Sequence, residues 1–120
     1  EGRNPYDSMR AGEDLVNDPI ARIIGTFAKT GYQILYVSGR EDKSGPITSK
    51  WIHDNRLPDG PLFMRKTGDN RKDSIVKLEI FNESIRNQFD VKFVLDDRDQ
   101  VVRMWRDLGL TCLQVNYGNF

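Results

Sequence analysis

Val91-Lys92-Phe93-Val94-Leu95-Asp96-Asp97-Arg98-Asp99 is a short apolar run that stops abruptly on charge. The run from Val91 to Leu95 is rich in β-branched and aromatic side chains and too short for a buried helix, so it predicts a strand. Carboxylates set directly behind such a strand belong to the end of a sheet. Working outward, the pattern recurs. Upstream, the spacing predicts a helix over roughly Asp73 to Asn87, a strand at Leu62-Phe63-Met64, a helix from Ile47 to Asn55, and a strand at Gln33-Ile34-Leu35-Tyr36-Val37. Before these, Asn17-Asp18-Pro19 reads as a helix start, Ile20, Ile23, Ile24 and Phe27 follow at helical spacing, and Gly31 stands where a helix-ending glycine belongs. Downstream come a helix from about Gln100 to Leu108, a stop at Gly109, and a strand from Thr111 to Val115. Helices alternating with strands in this way predict an α/β fold, a three-layer, doubly wound parallel sheet. In such sheets ligands bind beyond the C-terminal strand ends, so those ends hold the candidate residues.

At the first strand end, Ser38-Gly39-Arg40 offers a hydroxyl, backbone N–H groups and an arginine fork to an anion. A tight turn with a solvated arginine accounts for the same residues. At the 91–95 strand end, Asp96 and Asp97 suit a hard divalent ion, which takes one or two carboxylates plus substrate oxygens. A helix cap with acidic residues at the positive dipole end explains Asp99 well and Asp96 poorly. Asp97-Arg98-Asp99 has the D-x-D spacing of a nucleophile loop, but no Gly-Thr follows and too little chain remains to supply later motifs. Asp73 and Lys77, four apart on one helix, make either a surface ion pair or a lysine aimed at a phosphate. Trp51 and Trp105 read as core, His53 as surface, and Cys112 as a small buried hydrophobe.

Composition narrows the function class. The 120 residues suffice for one compact domain, expected to span 1–120. Lys plus Arg and Asp plus Glu stand at 18 each, which argues against a protein that coats duplex nucleic acid. An enzyme gripping one terminal phosphate needs only a few local arginines. No run of eighteen apolar residues exists, and no membrane partner is expected. A lone cysteine cannot form an internal disulfide.

Taken together, strand-Ser-Gly-Arg, a helix-borne lysine and strand-Asp-Asp resemble the second to fourth motifs of the haloacid dehalogenase superfamily. Gly2-Arg3-Asn4-Pro5-Tyr6-Asp7, Gly68 to Asp73 with Val76-Lys77, Leu95 to Arg98 with Met104-Trp105-Arg106, and Gln114-Val115 with Gly118 narrow the match. They are similar to the C-terminal 3′-phosphatase domain of bacteriophage-type polynucleotide kinase/phosphatase. The resemblance implies removal of 3′-phosphate from DNA or RNA ends with Mg²⁺, in the cytoplasm, beside an N-terminal kinase domain and ahead of a ligase. By it, Arg3, Ser38 and Arg40 would bind the substrate phosphate, and Lys77 would neutralise developing charge with Asp73 orienting it. Asp96 and Asp97 would hold the metal, with the direct ligand left open.

The family's domain opens with a strand ending in D-x-D-G-T, whose first aspartate attacks phosphorus and whose second acts as acid and base. That segment is expected before Glu1, so the chain by itself is expected to lack the central strand and the nucleophile, and to be inactive. Exposed ladder edges would then favour oligomer formation or strand exchange. Two rival expectations are a non-catalytic module that binds nucleic-acid ends and a phosphatase of the same superfamily acting on small phosphoesters.

Overall fold

A computed structural model describes residues 18–120, so Arg3 lies outside the described residues. These residues fall into two compact units, 18–69 and 70–120.

The first unit opens with helix α1, Asp18–Lys29, whose acidic first turn and basic last turn complement the helix dipole. Its buried Ile20, with Ala21 and Ile24, gives it an inward face, and Gly31 takes φ +96° just past its end. Strand β1, Tyr36–Glu41, pairs in parallel with β2, Leu62–Arg65, and helix α2, Gly45–Asp54, makes the crossover between them. The core joins Tyr36, Trp51, Ile52 and Leu57, with Ile24, Ile34 and Leu62 packed against it.

β1 begins three residues later than the spacing predicts and runs straight through Ser38-Gly39-Arg40, which is strand and not turn. The cause is its partner: β2 continues to Arg65, the register slips between Ser38 and Glu41, and Arg65 Nε donates to the Gly39 carbonyl at 2.7 Å. Beyond the strand, Glu41 accepts from the Gly68 amide at 2.8 Å, and Asp42 from the Thr67 hydroxyl at 2.6 Å. These carboxylates tie the exit of β1 to the exit of β2.

The second unit carries helix α3, Asp73–Ile80, strand β3, Val94–Asp96, helix α4, Asp99–Asp107, and strand β4, Cys112–Gln114. β3 and β4 are parallel. The long helix predicted to Asn87 is regular only to Ile80 and widens to a π turn over Phe81–Ile85, where the Arg86 amide reaches back to the Phe81 carbonyl. β3 also starts later than its apolar run, because its ladder begins where Val94 donates to the Thr111 carbonyl. Val76, Phe81, Ile85, Val101, Val102, Trp105 and Cys112 are buried, and the Phe81 and Trp105 rings meet edge to face at 5.9 Å. The fold is thus α/β with parallel strands, paired in twos among the described residues.

Candidate active site

Asp96 ends β3 with its carboxylate turned inward, 7% exposed as a residue. Its Oδ1 accepts the Asp97 amide at 2.8 Å and the Arg98 amide at 3.4 Å. Its Oδ2 accepts the Trp105 indole N–H at 3.1 Å and lies 3.6 Å from Lys77 Nζ. Both oxygens are therefore engaged within the protein, and the carboxylate holds the following loop in shape. The sequence reading gives Trp105 a place in the core and in the resemblance but no role at the site; a buried indole N–H requires an acceptor, and that requirement is the available signal.

Asp73 and Lys77 form an ion pair at 3.4 Å, with side chains 3% and 2% exposed, so the surface reading of this spacing is corrected. Arg98 Nη1 stands 3.3 Å from Asp73 Oδ2. A charged lysine in such a place is stable only because carboxylates surround it; stripping one partner away leaves an uncompensated buried charge. The sequence brings this about by placing Asp73 at the first turn of α3 and Lys77 one turn on, facing the end of β3. The arrangement joins a fixed cation to two carboxylates beside Asp97, itself buried. It suits chemistry in which negative charge builds on a phosphoryl group.

In the first unit, Ser38 and Arg40 are also buried and share one face of β1, two residues apart along the strand. The Arg40 amide donates to Ser38 Oγ at 3.1 Å. A buried serine and guanidinium at a strand's C-terminal end are placed as a phosphate grip requires, which a solvated arginine is not. His53 is exposed and Cys112 buried, as expected. Burial, and secondarily the nearby Asp96 charge, push the Cys112 thiol up to about 11, so it is no nucleophile at neutral pH.

No group of three or more His, Cys, Asp and Glu able to hold a metal exists among the described residues. Mg²⁺ does not need one, since it binds through one or two carboxylates with waters and phosphate oxygens. The hard, buried carboxylates at 96–97 fit that demand.

The residues overlooked in the sequence gather at the C-terminus. Gln114 Nε2 donates to the Asp97 carbonyl at 3.0 Å and to Asp99 Oδ1 at 2.6 Å. The Asp99 amide donates to the Gly118 carbonyl at 2.6 Å, so Asp99 is fixed from two sides instead of capping α4 by its side chain. Arg98 Nε donates to the Phe120 carbonyl at 2.9 Å, and its guanidinium lies 4.9 Å from the centre of the Phe120 ring. Gln114 and Gly118 belong to the resemblance but carry no role in it.

Known proteins resemble this chain. The family described as the polynucleotide kinase PNKP phosphatase domain matches residues 1–120. A putative bifunctional polynucleotide kinase/RNA ligase of Autographa californica nuclear polyhedrosis virus is 42% identical over 78 residues, covering 64% of this chain and 11% of that protein. Two structures of a Pnkp1/Rnl/Hen1 complex, one described as an RNA repair complex, match at 43% identity and TM-score 0.91. Each covers 99% of this chain, which in turn spans 39% and 42% of those chains.

Proposed function

This chain belongs to the phosphatase-domain family of polynucleotide kinase PNKP, and on that premise we propose that it serves a polynucleotide 3′-phosphatase that heals strand ends in RNA repair. The observation that carries the reading is Lys77, buried between Asp73 and Asp96 on the unit that also presents Asp97. A lysine that neutralises a transferring phosphoryl group must be held still and kept charged, and the two buried carboxylates do both for Lys77.

In this reading Ser38 donates a hydrogen bond to a phosphoryl oxygen, and Arg3 and Arg40 hold the terminal phosphate. Lys77 meets the charge that develops as the ester bond breaks, with Asp73 fixing its direction. In this reading Asp97, buried at the end of β3, is the metal ligand and Asp96, which accepts from the Asp97 and Arg98 amides and the Trp105 indole and faces Lys77, is its support. Bound Mg²⁺ would polarise the phosphate oxygens and offset their charge. The same proposal includes the three-layer sheet whose central strand carries the attacking and proton-transferring aspartates ahead of Glu1. It also includes a kinase domain and a ligase as working partners, as the names of the longer relatives suggest.

The test is phosphate release from a 3′-phosphorylated oligonucleotide with Mg²⁺, by this chain and by one extended with an Asp-x-Asp-Gly-Thr strand. Turnover by the extended chain alone is expected. Turnover by the 120-residue chain would move the nucleophile to Asp97 or Asp99 and overturn the assignment. Binding of phosphorylated ends without turnover by either chain would instead mark a non-catalytic end-binding module.

A further inference from the structure

The Asp96–Asp99 loop is held by two sets of contacts. Asp96 fixes it from within, through the amides of Asp97 and Arg98. The second set comes from the last residues of the chain. The Gln114 amide bridges the Asp97 carbonyl and the Asp99 carboxylate. The Gly118 carbonyl takes the Asp99 amide, and the Phe120 carbonyl and ring take the Arg98 guanidinium, which also reaches Asp73. Gly118 is buried, and a methyl group on it would run into the Asp97 carbonyl. The Val115 amide donates to the Asp96 carbonyl at 3.0 Å, so backbone groups on both sides of the Asp97 Cα are held from the same segment, and this fixes the direction in which its side chain leaves the backbone.

We propose that Gln114–Phe120 is a strap that sets the position of the Asp97 carboxylate, with Gln114, Gly118 and Phe120 acting as positioning residues for metal binding. This inference rests on the reading of Asp97 as the Mg²⁺ ligand. It assigns the segment a share in metal affinity through the loop it holds, with no direct contact to the ion. Partners that orient metal ligands in this way typically govern affinity by roughly 10- to 100-fold.

The experiment is Mn²⁺ titration followed by electron paramagnetic resonance on the full chain and on Gln114→Ala, Gln114→Glu and Phe120→Ala. Metal-free melting temperature and amide hydrogen exchange at Asp97, Arg98 and Asp99 are measured alongside. Tyr117→Ala is the control, since Tyr117 is 95% exposed on the same segment. The variants should bind Mn²⁺ about tenfold more weakly or worse, with faster exchange at the three amides and melting temperatures close to that of the parent. Gln114→Glu should be the weakest, because it replaces a donor with a second carboxylate facing Asp99. Variants that bind Mn²⁺ like the parent overturn the strap. So does a loss of affinity that merely follows melting temperature or appears equally in Tyr117→Ala. A parent chain that binds no Mn²⁺ removes the metal reading itself and the strap with it, a result distinct from the other two.

Discussion

At the scale of single residues, the two groups most exposed to test are Lys77 and the indole that faces Asp96. Lys77→Met removes the cation between Asp73 and Asp96 and should cost about 3–5 kcal/mol in urea denaturation, as breaking a buried ion pair does. Asp96→Asn in the same background should recover part of that loss if the two are coupled. Trp105→Phe keeps most of the ring packing but leaves Asp96 Oδ2 one donor short. A loss of about 1–3 kcal/mol is expected, with the loss of one of the two tryptophan emission components to identify the site. Arg56 stands at φ 58° just beyond α2, in the left-handed region that suits glycine. Arg56→Gly should therefore leave stability unchanged or raise it by up to about 1 kcal/mol, where most surface changes to glycine lower it.

At the scale of elements, the junction between the β1 and β2 exits carries a pH signature. The Gly68 amide, and then Lys43, hold the Glu41 carboxyl below its ordinary 4.5, and the Thr67 hydroxyl holds Asp42 below 3.8. A depressed folded-state value means stabilisation that is complete above the ordinary value and lost as pH falls through the lowered one. Proteolysis around residues 66–69 should accelerate as pH falls below the ordinary 3.8 of Asp42, and Asp42→Asn should bring that acceleration to neutral pH. The helices and their stops were legible because their signals are local: Pro19 in a first turn, and Gly31 and Gly109 at positive φ past helix ends. Strand bounds were less so. Val91 to Phe93 looks as strand-like as Val94 and Leu95, but the ladder starts only where β4 supplies a partner, and pairing is a non-local property. The candidate residues Ser38, Arg40, Asp73, Lys77, Asp96 and Asp97 were visible from strand ends and helix spacing. Their burial, the division of labour within the Asp96–Asp97 pair, and the contacts from Gln114, Gly118 and Phe120 were not. Each depends on what folds back from elsewhere in the chain.

For the whole molecule, the even balance of 18 basic and 18 acidic residues predicts that the proposed binding of a strand end depends weakly on salt. If two or three phosphates are contacted, the log–log slope for a single-stranded end is about −1.4 to −2, so affinity should fall only about tenfold between 50 and 200 mM salt. A slope several times steeper would place a much larger basic track on the protein. Cys112 gives the molecule a further property. It is the sequence's lone thiol, 5% exposed, and its acidity is suppressed to about 11. Because an iodoacetamide-type reagent attacks thiolate, the native thiol should stay unlabelled near pH 8 and react only in conformations that have opened. Its labelling rate, divided by that of a short unstructured peptide, therefore converts directly into the free energy of the opening that frees β4. The protein thus contains its own clock for excursions of the 70–120 unit, readable by mass spectrometry without any added probe.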